Sequence, residues 1–395
     1  MATAASESVR SGVHTGLPLP SKLGHIESLQ VLRAVAVVLV AWAHVEQEIA
    51  PRGSTPRFDL GIFGIDIFFV ISGFILSLIV LRSRSHRGPE AAWEFLKRRI
   101  IRIYPIYWFF VALTALRALH GHVPLGAQYL PSIFLLPSPG YPHQWLLVPI
   151  AWTLIFEMFF YYLLSVIQVA TIKRAVPVLI GILCAAVAIG RFYSIRRPYL
   201  IVVMNPILLE FAFGACLALA FQRFGRQGKL GKILVAVGIV GAVLVKLYFD
   251  TGAKSMQMIF TDGLVTHRAF TWGLAALALV AGGVLWSPRP DNSAWRTAVA
   301  IGDSSYSAYL ASPLVLEFGT RAVLAVFGKY VVRSVIAAML CRSLVAVIVL
   351  GVGWLSYQFI EWPMLRKLQA LFHSRPVPQS AGAAPNLVAS TKADS

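Results

Sequence analysis

The chain has 395 residues, 57% of them hydrophobic and 13% charged, with a formal net charge of +18. A soluble globular chain carries roughly one quarter charged residues, so a water-soluble domain is excluded as the main body of this protein. The positive charge does not indicate nucleic acid, because the basic residues fall in short clusters between long apolar runs, the pattern of loops on the cytoplasmic side of a membrane.

At about 20 apolar residues per crossing, the pattern predicts an all-α, polytopic membrane protein of about ten transmembrane helices. The expected spans are 29–48, 59–81, 100–119, 146–168, 175–194, 200–221, 230–249, 265–286, 300–325 and 335–358. Residues 1–28 read as a polar cytoplasmic segment, 29–365 as the membrane domain and 366–395 as a cytoplasmic tail. The tail's Pro-, Ala- and Ser-rich composition predicts disorder. No cleavable signal is evident, since the first apolar run is as long as a span. The basic stretches "RSRSHRG…KRRIIR", "IKR", "QRFGRQGKLGK" and "LRKL" share one side in a ten-span arrangement. "HGHVPLGAQYLPSIFLLPSPGYPHQ", which has no Lys or Arg, lies on the other, with "RFYSIRRP" as the exception. Both termini are therefore expected in the cytoplasm, in a cell inner (plasma) membrane. Cys184, Cys216 and Cys341 lie scattered in apolar runs without CxxC spacing, which predicts buried, reduced thiols and no metal site.

Ionisable groups inside a span are costly and mark function or structural pairing. Here they are Arg33, His44, Asp66, Glu157, Glu210, Lys246, Asp303, Glu317, Arg321 and Arg342. Glu317 and Arg321 stand at i, i+4 and are expected to neutralise one another.

The first span, "RAVAVVLVAWAH", carries Arg33 and His44 eleven positions apart. On a helix that separation is a rise of about 16 Å and a return to within about 20° of the same face. A cation near the cytoplasmic end suits an anion, and a neutral imidazole farther along suits a general base. The alternative is a pair of end anchors that reach the two membrane surfaces. In the second span, Gly61, Gly64 and Gly73 with Ser72 predict close helix packing, and Asp66 is a carboxylate set inside an aromatic run. At the start of the third, Arg99 and Arg102 share a helical face at i, i+3, and guanidinium forks suit phosphate oxygens. Lys97 and Arg98 read as membrane anchors. Glu157 lies in the middle of the fourth span, where an unpaired carboxylate is expensive. "GDSSY" lacks the last glycine of a GxSxG elbow, so Asp303 and Ser304 read as caps of the ninth span. "GRQGK" is too short for a P-loop.

In this order, "LRAVAVVLVAWAH", "GIDIFFVISGFI", "FLKRRIIRIYPIYW", "WTLIFEMFFY", "GDSSYSAYLASPLVL" and "FIEWPM" resemble the acyltransferase-3 family of integral membrane O-acyltransferases, most closely its exopolysaccharide-acetylating branch. The resemblance implies transfer of an acyl group, usually acetyl from cytoplasmic acetyl-CoA, to a carbohydrate hydroxyl. Arg33 and His44 match the family's first-span pair, Arg99 and Arg102 its RxxR motif, and Glu157 the end of its W-T/S-L-x-x-E segment. Where the family commonly has a histidine after the Y-L of the ninth span, this chain has Ala311, Ser312 and Pro313. His44, Glu157 and Asp66 are expected as catalytic residues, and Arg33, Arg99 and Arg102 as holders of the CoA phosphates. Glu157 is expected to orient His44. A macrolide-type small-molecule acceptor and a transporter or flippase of lipid-linked sugars are the alternative readings.

Overall fold

The computed structural model describes residues 26–49, 60–83, 88–137, 146–171, 174–192, 197–248, 266–331 and 334–373. Most of the polar N-terminal segment, the expected tail from Ser374 onward, and the basic stretches at 84–87, 172–173 and 193–196 lie outside these residues.

Among the described residues there are helices and turns and no strand. Nine helices or helix runs are long and apolar enough to cross a membrane, and a tenth apolar helix is shorter. In chain order the principal helices are α1 (Glu27–Glu48), α2 (Gly61–Arg82), α3 (Pro89–His120), α4 (Trp152–Ala170), α5 (Ala175–Gly190), α6 (Leu208–Phe224), α7 (Gly228–Tyr248), α8 (Leu274–Trp286), α9 (Ser293–Asp303), α10 (Ser305–Val331), α11 (Val335–Ser356) and α12 (Trp362–His373). The protein is an all-α, multi-pass membrane protein.

Several boundaries depart from the periodicity reading. α3 begins eleven residues before the expected span, with Pro89 in its first turn, where a missing N–H costs nothing. The sixth span is broken after Pro198–Val203; the chain turns at Asn205, whose side-chain oxygen accepts from the Ile207 N–H, and restarts as α6. The ninth span is two helices. Ser304 does not cap α10 as expected: its hydroxyl donates back to the carbonyls of Ala300 and Ile301 in α9. The helix after Ser356 continues through a π-turn, Tyr357–Glu361, into α12, so residues 366–373 are helical rather than part of a tail.

Without a hydrophobic drive between helices in lipid, close backbone approach supplies the packing energy. Gly73 of α2 lies on the Phe211 backbone of α6, and Gly214 of α6 lies on the backbone of Val70 and Gly73 in return. A side chain at either would force the two helices apart. Gly61 and Gly64 meet Ala43 and Ala36 of α1 in the same way, so the glycines of the second span pack as expected.

The buried core has three parts: an aromatic cluster among α3, α4 and α6, an aliphatic cluster of α2, α7 and α8, and a smaller one where α1 meets α10 and α11. Behind α3, the segment after His120 is tied down. Tyr104, Tyr107 and Trp108 donate to the carbonyls of Phe134, Ser132 and Ile133.

Of the three free cysteines only Cys341 is buried; Cys184 and Cys216 are exposed. The expectation of three buried thiols fails because an apolar span exposes its outer face to lipid, where a thiol is as acceptable as in a core.

Candidate active site

A cavity of about 190 Å³ opens among α1, α2, α3, α4, α10 and the π-turn. Its lining includes Gln30 and Arg33 of α1, Trp362 at the start of α12, and Thr153 and Tyr309. Four of the six candidate residues line it: Arg33, Arg99, Arg102 and Glu157.

Each is delivered by local structure. Arg99 and Arg102 face inward one helical turn apart on α3. Lys97 and Arg98 instead pair with Glu94 on the same helix, with Arg98 about half exposed. The anchor reading of Lys97 and Arg98 and the separate reading of Arg99 and Arg102 thus correspond to two faces of one helix. Arg33 comes from the second turn of α1. α9 is fastened alongside: Asn292 caps it, the Trp295 indole donates to Glu27 at 2.8 Å, and Gly302 touches the Gln30 backbone. Only glycine allows that contact, and it brings Asp303 into the cavity wall beside Arg33.

The three guanidiniums are not equivalent. Arg102 is paired with Glu361 of the π-turn and lies 5.7 Å from the Tyr306 ring centre. Neither Arg33 nor Arg99 has an ion-pair partner among the described residues: Arg33 reaches only Gln30 at 3.5 Å, and Arg99 stacks over Phe95 with its Nε unbonded. Two cations in a partly dry space with spare N–H donors make a receptor for an anion with several oxygens.

Glu157 does not meet His44. Its Oε1 accepts from Ser72 at 3.1 Å and from the Tyr161 hydroxyl. Ser72, expected to serve packing alone, therefore also anchors the cavity carboxylate. Tyr309 donates to the Ile150 carbonyl at 2.6 Å, so its contact with Thr153 (2.9 Å) has the threonine hydroxyl as donor. Both Thr153 and Tyr309 line the cavity.

His44 lies outside the cavity lining. α1 is unbroken from Glu27 to Glu48, so His44 stays on the Arg33 face about 16 Å farther along. Its Nδ1 is 2.7 Å from the Val40 carbonyl. A carbonyl only accepts, so Nδ1 carries the hydrogen and Nε2 of the neutral ring keeps its lone pair.

Asp66 sits apart from the other candidates. It is not brought to the cavity but is fully buried against Arg268, with the fully buried Glu210 beside it. A carboxylate in an aromatic run needs a cation, and Arg268 arrives from just before a second π-turn, Ala269–Gly273. Other charges resolve likewise. Glu46 pairs with Arg342 at 3.1 Å, while Glu317 takes both Arg321, as expected, and Arg117. No group of three or more His, Cys, Asp or Glu able to hold a metal occurs among the described residues.

The sequence reading missed Glu361, Arg268, Ser307 and Tyr161 as partners. Glu361, Ser307 and Tyr161 lie in the quoted segments "FIEWPM", "GDSSYSAYLASPLVL" and "WTLIFEMFFY", Glu361 beyond the expected end of the last span, whereas Arg268 lies in none of them.

The fold is that of an all-helical membrane protein with a cavity among its helices lined by arginines, carboxylates and aromatic rings. The sequence model of the acyltransferase-3 family, an acyltransferase domain, matches residues 26–358, and the chain belongs to that family. It is a multi-pass membrane acyltransferase. It is similar to the exopolysaccharide production protein ExoZ of Rhizobium meliloti, with 29% identity over 80% of this chain and 92% of the relative. It is also similar to the O-acetyltransferase OatA of Staphylococcus aureus, with 24% identity over 87% of this chain and 58% of that longer protein. No solved structure matches.

Proposed function

We propose that this protein moves an acetyl group from acetyl-CoA, entering from the cytoplasm, to a hydroxyl of a cell-surface carbohydrate such as an exopolysaccharide. The observation that carries the reading is the pair of guanidiniums, Arg33 and Arg99, that face one cavity without a carboxylate of their own. Together with Arg102 they suit the phosphates of a CoA donor, and the names of ExoZ and OatA favour a glycan acceptor and acetyl.

In this reading the cavity mouth is cytoplasmic, both termini are cytoplasmic and the membrane is the plasma membrane, as the loop charges imply. The pantetheine arm, comparable in length to the depth between Arg33 and His44, carries the thioester inward past Glu157. The acceptor hydroxyl oxygen attacks the thioester carbon, the carbon–sulfur bond breaks, and the hydroxyl proton passes to His44 Nε2 and on to the CoA thiolate. Glu157, held by Ser72 and Tyr161, shapes the inner wall rather than orienting the imidazole.

The test is transfer itself. Purified protein in lipid nanodiscs is given acetyl-labelled acetyl-CoA and de-O-acetylated host polysaccharide, and the polysaccharide is examined by mass. A gained acetyl increment supports the reading. Label consumed without appearing on glycan, with small-molecule hydroxyls acetylated instead, overturns the acceptor. No binding of CoA at all overturns the donor.

A further inference from the structure

Three guanidiniums face the cavity, and three carboxylates answer them: Glu157, Asp303 and Glu361. The third carboxylate is unlike the other two. Glu361 has no exposed surface, and it is bound from two sides, by Arg102 on Oε1 and by the Ser307 hydroxyl at 2.6 Å on Oε2. It closes a π-turn, the wider coil that proteins keep mostly at functional positions. A buried carboxylate so held has one charged partner, and Arg102 spends a donor on it while its remaining N–H groups stay available to the cavity.

We propose that Glu361 is a positioning residue of the donor site. It fixes the Arg102 guanidinium and competes with the donor's phosphate for it, which limits how tightly the anionic donor and its free thiol product are held. This rests on the CoA reading given above. Arg102 is the one cavity guanidinium of the three with an ion pair among the described residues, so a phosphate meets unpaired N–H donors at Arg33 and Arg99. At Arg102 it must share a cation that is already neutralised. An enzyme that releases a polyanionic product each turnover benefits from that restraint, because uniform tightening of substrate and product does not raise turnover.

Removing the charge while keeping the shape isolates the effect. Glu361→Gln retains an oxygen for Ser307 and frees Arg102. Free CoA is titrated into the full-length protein in nanodiscs, and KM and kcat are measured with acetyl-CoA. The expected result is about tenfold tighter CoA binding, a lower KM and a lower kcat as product release slows. Glu361→Asp keeps the charge but withdraws it from Arg102, and a smaller gain in the same direction is expected. It carries the test should the glutamine variant fail to fold. A wild type that binds CoA, with variants that bind it equally or more weakly, overturns the role of Glu361 and leaves the donor reading standing. A wild type that does not bind CoA removes both.

Discussion

Replacing Arg268 by methionine tests whether Asp66 belongs to structure or to chemistry. Asp66 and Glu210 have no exposed surface and Arg268 is 5% exposed, so the substitution leaves two carboxylates in a dry site with no cation. Breaking a buried ion pair by removing one partner costs about 3–5 kcal/mol, enough to shift a folding equilibrium by about two to nearly four orders of magnitude. The assay is thermal unfolding of the full-length protein in nanodiscs, followed through tryptophan emission. Arg268→Met is expected to unfold well below wild type. The triple variant Asp66→Asn, Glu210→Gln, Arg268→Met, which strands no charge, is expected to recover most of that loss and to keep acyl transfer within about tenfold of wild type, since catalytic proton transfer is typically worth 10²–10⁴-fold. A triple variant that is stable but loses a hundredfold or more in rate would refute the reasoning and return Asp66 to the catalytic set.

Arg99→Ala is expected to weaken CoA binding about tenfold to a hundredfold by calorimetry, the effect of a lost charge-assisted contact of about 1.5–3 kcal/mol, whereas Arg98→Ala, exposed and paired with Glu94, should do far less; equal effects would make the motif an anchor. Arg102→Ala strands the Glu361 carboxylate, so it should lower the unfolding temperature as well as CoA affinity, and a clean binding defect at full stability would contradict the pairing. His44→Ala and His44→Gln are both expected to cut transfer by 10²–10⁴-fold with CoA binding intact, and a residual rate within tenfold of wild type would remove His44 from the reaction. In a background without the native cysteines, Ser83→Cys should react with an impermeant thiol reagent only from the cytoplasmic side and Gln128→Cys only from the outside; labelling of both from one side would overturn the topology.

The fold was largely legible because apolar length is a strong signal in a chain that must satisfy its backbone in lipid. The places where it was misread share a cause. Asn205, Ser304 and the two π-turns are local departures from helical hydrogen bonding inside runs whose composition stays apolar, so hydropathy passes over them. At the site, Arg33, Arg99, Arg102 and Glu157 converge as their placement inside spans suggested, because charges that cannot face lipid have few other places to go. Their partners were not legible. Asp66 and Arg268 are 202 positions apart, and Arg102 and Glu361 are 259 apart; one sequence gives no measure of such distances. The helical stripe linking Arg33 to His44 was readable, but that Glu157 would turn to Ser72 and Tyr161 rather than to His44 depended on how α2 and α4 cross.

One helix carries a consequence for the lipid around the protein. α5 has 16 residues, so it is about 24 Å long, against about 30 Å for the hydrocarbon of a typical bilayer. A short segment is accommodated by thinning of the adjacent lipid or by polar flanks drawn inward, at fractions of a kcal/mol per Å. Of its neighbours α4 has 19 residues and α6 has 17, so the mismatch is expected to be greatest at α5. Lipid-anchored molecules with short or disordered chains collect where a bilayer is thin. The protein would thus sort the lipids beside α5 by chain length, and its stability in vesicles should pass through an optimum as the bilayer is made thicker.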